Sequence, residues 1–163
     1  MREMAQIRDA VLTALGTAGL KAEAAFPPRR AERYKGAVAS VAVGAAEGKA
    51  LGFCNYLGEV RDERGGVREL YGKRLEGVIN LDIRAEAAAE CERGAENAAA
   101  VLLSGLPEGI RPGELRWEAL AWEKETGMFL RRGTLSCEAL FTAQAGEDEA
   151  VFLDFMLKGV MKH

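Results

Sequence analysis

The sequence predicts an α+β domain in which a mainly antiparallel sheet is packed by two helices and carries one protruding β-hairpin. Three observations predict it. In the stretch from Arg74 to Arg84, Leu75, Ile79, Leu81 and Ile83 alternate with Arg74, Glu76, Asn80, Asp82 and Arg84, the period of two of a strand that is buried on one face and wet on the other. Immediately afterwards, from Ala85 to Leu103, the composition becomes alanine-rich, with Cys91, Ala95, Ala98 and Leu102 on one helical stripe. Two further stretches read as hairpins closed by charged turns.

Taken in order, Met4, Ile7, Val11 and Leu15 recur at helical spacing, with Leu12 beside them, which predicts an amphipathic helix over 3–16 that stops at Gly16 or Gly19. Lys21 to Phe26 is a short extended piece ended by Pro27-Pro28, where neither proline can continue a helix. Gly36 to Gly44 is small and β-branched almost throughout, which predicts a strand covered on both faces. Leu51 to Val60 and Val67 to Tyr71 flank Arg61-Asp62-Glu63-Arg64-Gly65-Gly66 as a hairpin arm, about residues 52–72. Its second strand runs through Gly72 into the alternating strand, so Gly72 is a candidate bend. Gly105 and Pro107 end the second helix. Leu115 to Glu123 and Met128 to Ala143 form the next hairpin around Lys124-Glu125-Thr126-Gly127, with Leu135, Cys137, Ala139 and Phe141 facing one way. Val151, Leu153, Phe155 and Leu157 alternate along a final strand.

The 163 residues suit a single domain, 1–163, with its own core. Three unpaired-looking cysteines (Cys54, Cys91, Cys137) and a single histidine, His163, suit a reducing cytoplasm and leave no zinc ligand set. The start of the chain lacks the apolar run of a signal peptide, and no run of about 18 apolar residues would span a membrane. A net charge of −3, from 22 basic and 25 acidic residues, argues against a dedicated or sequence-specific nucleic-acid binder.

Catalytic equipment is sparse. One imidazole excludes most Ser-His and Cys-His pairs, and the 19 glycines never fall in a dinucleotide or P-loop pattern. Asp82, Glu118, Glu138 and Asp154 could supply paired carboxylates, or could be acids on a wet sheet face. Cys91 and Cys137 fall on apolar stripes and read as core. The expectation is a protein that is not an enzyme and carries no cofactor or metal.

Surface features point instead to protein contacts. Arg29, Arg30, Arg33 and Lys35 against Glu32 give a local +3, and Glu147-Asp148-Glu149 forms an acidic run; these are either solvated loops or the two halves of a head-to-tail contact. The hairpin arm, with Arg61 and Arg64 at its tip and Tyr56 and Tyr71 on its strands, is either a solvated turn or a docking arm. Trp117 and Trp122, five residues apart in one strand, should face opposite ways, leaving Trp122 as an interface anchor.

A first helix, the turn Phe26-Pro27-Pro28-Arg29-Arg30, a strand, the Leu57-Gly58-Glu59 hairpin, the long strand through Gly77 to Arg84, a second helix, a hairpin and a closing strand together resemble the small tail-assembly proteins of long-tailed bacteriophages and prophages. Within that group the order resembles the tail terminator, or tail completion, family over nearly the full length. The resemblance implies a homo-oligomeric ring, a hexamer, that caps the tail tube and meets a head-completion protein. It also implies assembly in the bacterial host cytoplasm, a final place in the virion tail, and no catalysis. Two other classes stand beside it. A non-viral cytoplasmic α+β binding module would show a ligand-sized pocket on a stable monomer, and a small carboxylate-dependent enzyme would gather Asp82, Glu138 and Asp154 around a metal.

Overall fold

A computed structural model describes residues 2–26, 34–50, 56–61, 63–145 and 155–158. The elements are α1 (Arg2–Thr17), β1 (Lys21–Glu23), β2 (Val38–Ala50), β3 (Tyr56–Arg61), β4 (Val67–Ala85), α2 (Ala88–Ser104), β5 (Ile110–Trp117), β6 (Ala121–Glu123), β7 (Met128–Ala145) and β8 (Met156–Leu157). The fold is α+β, and every strand pairing except β1 with β2 is antiparallel.

The spine of the sheet is the ladder between β4 and β7, which runs without interruption from Glu69 opposite Ala145 to Ala85 opposite Phe129. β4 alone is 19 residues long, about 60 Å of extended chain. Along its other side β2 and β3 lie end to end: Val38 to Ala50 pair with Arg84 to Lys73, and Tyr56 to Arg61 with Tyr71 to Val67. The hairpin arm is therefore an extension of the sheet. Its base is flanked by β7 as far as Glu69, and only the first two positions of β4, the β3 residues opposite them and the turn project beyond.

Odd-numbered residues of the spine face the helices. Leu75, Ile79, Leu81 and Ile83 of β4 and Leu135, Cys137, Ala139 and Phe141 of β7 are buried with Met4, Ile7, Val11 and Leu15 of α1 and Cys91, Ala95, Ala98 and Leu102 of α2. Both helical stripes and the β4 alternation are those the sequence predicts. Two glycines set how closely the layers approach. A Cβ on Gly77 would lie 2.8 Å from the Met4 methyl, and one on Gly94 only 2.4 Å from the Ala37 Cβ. α1 ends at Gly19, whose φ of 87° is cheap for glycine, with the Leu20 amide donating to the Leu15 carbonyl. Gln6, buried among apolar neighbours, ties the far end of the chain to α1: its amide donates to the Phe155 carbonyl (3.0 Å) and its side-chain oxygen accepts from the Leu157 amide (2.9 Å).

Two expectations are corrected, and a third is described only in part. β2 is not covered on both faces: Val38, Ala39 and Val41 are buried but Ala42 and Val43 are exposed, because its first residues alone are sandwiched and a register shift follows between Val43 and Ala46. Trp117 and Trp122 do not share a strand. They pair with Gly133 and Phe129 of β7 respectively, positions an even number apart, so both face the helix side; one extra residue in the 118–120 link reverses the facing that strict alternation would give. Of the closing strand, the described part is Met156–Leu157 alongside Phe141 and Thr142, with Leu157 buried and Met156 exposed. The acidic run at 147–149 lies outside the described residues.

Candidate interface

Of the sequence-selected contact residues, Arg29, Arg30 and Arg33 lie outside the described residues. The other five form two groups. Tyr56 and Tyr71 face each other across the arm, rings 5.7 Å apart and edge-on, and the Tyr71 hydroxyl donates to Glu69 at 2.7 Å. Arg61 ends β3 and Arg64 sits in the turn, both exposed, with exposed Leu57 close by. Trp122 is at the other end of the molecule, 57 % exposed, its ring edge-on to Phe129 at 5.0 Å. Phe129, beside Trp122, and Ala143, beside Tyr71, are 14 positions apart on β7 (143 minus 129), about 45 Å. The structure groups the arm residues at one end of the sheet and leaves Trp122 exposed at the other.

The open face of the sheet brings Glu138, a carboxylate singled out from the sequence, into line with side chains from three other strands. Glu47, Glu76, Glu138 and Arg111 form one row across β2, β4, β7 and β5. The row is balanced by Lys49, which pairs with Glu76 at 3.1 Å, and Arg74, which reaches Glu138 at 3.7 Å. The four residues of the row line a shallow cavity of about 510 Å3 with Gly113 and Ser136. All are substantially exposed, so such pairs contribute little to stability.

Nearer α2 the same face closes over Arg84. This guanidinium is 8 % exposed, forms two hydrogen bonds to the Glu123 carboxylate (2.9 and 3.3 Å) and one to Ser40 (3.2 Å), and lies 4.6 Å from the centre of the Phe26 ring. Glu123 also accepts from Thr126. Hydrogen bonding to Arg84 holds the Glu123 carboxyl below the usual carboxylate range despite its burial. Sequence alternation put Arg84 on the wet face correctly, but nothing in it signalled that this stretch of the face is capped.

Among the described residues the carboxylates considered for catalysis converge only in part: Asp82 and Glu118 line one open cavity of about 610 Å3 with Arg116 and Arg132, whereas Glu138 lies apart. Asp82 lies opposite Arg132 and Glu138 opposite Glu76, six positions apart on β7 (138 minus 132), about 20 Å. Asp82 is held instead between Arg84 (3.6 Å) and Arg132 (3.9 Å). Glu118 lies in the 118–120 link, and Asp154 lies outside the described residues. Among the described residues no group of three metal-ligating side chains occurs, and no helix is long and apolar enough to cross a membrane. Burial pushes the Cys137 thiol up to about 11, and it raises Cys91, which sits against the Ile83 carbonyl at 3.3 Å. Neither is a thiolate at neutral pH.

A groove of about 510 Å3 lies between α1 and the end of α2, lined by Gln6, Asp9, Ala10, Thr13, Val101 and Pro107.

No protein-family model matches the chain, and no curated protein does. Among solved structures it is similar to a chain of the virion of the native gene transfer agent (GTA) particle, at 15 % identity and a TM-score of 0.35, over 84 % of this chain and 93 % of that one.

Proposed function

We infer that this chain is a structural subunit of phage-type tail assembly, and within that class a tail terminator: a ring-forming protein, hexameric by its family resemblance, that caps the tail tube and joins it to a head-completion protein. The observation that carries the reading is the arm. β4 runs on past the helix-packed body and, with β3, presents Tyr56, Leu57, Arg61 and Arg64 to solvent, where a subunit that is only a folded body has no use for them. The element order read from the sequence supports it, as does the dispersal of the open-face carboxylates into ion pairs.

The test is assembly. The purified chain, alone and with a phage tail tube protein, is followed by gel filtration with light scattering and by negative-stain electron microscopy. Rings, or caps on tube ends, are the expected result; a particle unchanged in mass when tube protein is added counts against the reading. The groove between α1 and α2 favours a second reading, a small-molecule binding module. Saturable binding of one apolar ligand to a stable monomer that ignores tube protein would support it.

A further inference from the structure

The charge rows of the open face are balanced on one side of β7 and unbalanced on the other. Across β2, β4 and β7, acids and bases of neighbouring rows offset one another, Lys49 against Glu76 and Arg74 against Glu138. Outside β7, β5 and β8 lie end to end. Their junction is Leu140, whose amide donates to the Gly109 carbonyl (2.9 Å) and whose carbonyl accepts from the Lys158 amide (3.0 Å). That junction sets two cations in succession. Arg111 lies opposite Glu138 and Lys158 is level with Leu140, so they follow one another two positions apart along β7, about 7 Å. Pro112 restricts the Arg111 backbone to extended geometry. Gly109, at a φ of 96°, lets Lys158 lie against the start of β5, since a Cβ there would collide with the Lys158 carbonyl.

Arg111 and Lys158 line a cavity of about 600 Å3 with Arg74, Glu108 and Glu138. Both cations are exposed, and among the described residues neither forms an ion pair. The Arg74 guanidinium is 3.7 Å from Glu138, beyond hydrogen-bond length, and its Nε has no hydrogen-bond partner.

We propose that this cavity binds an acidic segment of a partner protein in extended form, with carboxylates two residues apart on Arg111 and Lys158. The spacing carries the argument. Side chains i and i+2 of an extended chain point the same way about 7 Å apart, the separation of the two cations. A carboxylate also fits the planar fork of Arg111 in a bidentate contact. A phosphate chain suits the cavity less well, because Glu108 and Glu138 remain inside it and repel a ligand charged at every unit, whereas two carboxylates answer the two cations left over. The site stands independently of the tail reading, because any partner of this chemistry fills it.

The test uses the chain as it is and a labelled Gly-Glu-Ala-Glu-Gly peptide, followed by fluorescence anisotropy at low salt. The competitors are the isomer Gly-Glu-Glu-Ala-Gly, which has the same charge at a different spacing, and inorganic phosphate. Binding should saturate, and both competitors should be at least about fivefold weaker than unlabelled Gly-Glu-Ala-Glu-Gly. Arg111→Gln and Lys158→Gln should each weaken binding about fivefold with the melting temperature unchanged, as expected for exposed side chains. Arg116→Gln removes the same charge from the same face outside this cavity and should leave binding as it was. Absence of saturable binding, equal competition by the isomer or by phosphate, or an equal loss in Arg116→Gln would overturn the proposal. Ring assembly on tube protein is scored separately, so each idea can fail alone.

Discussion

The helix-covered face and the open face of the sheet are built from alternate residues of the same two strands, yet they are held by different forces. On the covered face Leu75, Ile79, Leu81, Leu135 and Phe141 are all but inaccessible, and their contribution is area removed from water, insensitive to pH and salt. On the open face Asp82, Glu76, Glu138, Arg74 and Arg132 exchange charge in solvent, where screening leaves each pair little net value. The Arg84 site is the exception. It lies on the open side but is buried as deeply as the covered side, so it combines the directionality of one face with the burial of the other. A sheet can therefore keep one surface free for partners only because the opposite surface and one capped patch hold it together.

The largest effect should come from Leu81→Ala, which empties a fully buried position and should cost about 2–5 kcal/mol in urea unfolding. A loss below about 1 kcal/mol would place the core elsewhere. Next, Glu123→Ala strands the buried Arg84 guanidinium and should cost about 2–4 kcal/mol, while the paired replacement Arg84→Met with Glu123→Leu should recover much of it. Equal losses in the single and double variants would show that packing, and not the stranded charge, sets the cost.

Acid separates the faces too. Glu123 is held below its ordinary 4.5 by hydrogen bonding to Arg84; Glu3 is raised by burial but brought below 4.5 overall by its hydrogen bond to Lys73. Both contributions are complete above the unfolded value near 4.5 and disappear as pH falls through the depressed folded values. Stability measured from pH 6 downward should therefore drop below about pH 4.5 in wild type and drop less in Glu123→Gln; identical slopes would remove Glu123 from the account.

Smaller still is Asp82→Asn, one residue from Leu81 but on the other face, expected to cost under about 1 kcal/mol because both arginine contacts are long, Asp82 is itself partly exposed, and Arg84 keeps its hydrogen bonds to Glu123 and Ser40. A cost matching that of Leu81→Ala would destroy the distinction between the faces. Smallest is deletion of residues 62–66 with a two-residue closure, which should leave the melting temperature within a few degrees while abolishing assembly. Unfolding on deletion would make the arm part of the body.

What could be read from the sequence was whatever had large contrast between neighbours. Leu, Ile and Val against Arg, Asp and Glu fixed the facing of β4, and the Met4-Ile7-Val11-Leu15 stripe fixed α1. β2 has no such contrast: alanine and glycine look alike on a buried or an exposed face, so its exposed Val43 was invisible. The parallel β1 pairing has no local signature either. Alternation counted through the 118–120 link failed because a single added residue reverses parity, although Trp122 is exposed all the same. Of the candidate contact surface, the arm tyrosines and arginines were legible as a charged, glycine-closed hairpin. The Glu47-Glu76-Glu138 row was not, because register across three strands belongs to pairing and not to any one segment.

The Gln6 amide has a kinetic meaning as well as a structural one. It hydrogen-bonds residues 149 and 151 positions further along the chain, so those bonds close a loop that contains nearly the whole sheet, among the most entropically demanding closures available to this sequence. Such a contact belongs to the final steps of folding. Until Phe155 and Leu157 arrive, a half-finished subunit keeps a polar side chain without partners in the middle of its apolar helix face, and α1 has reason to stay undocked. Native-state hydrogen exchange should find α1 and β8 opening together, earlier than the β4 and β7 ladder.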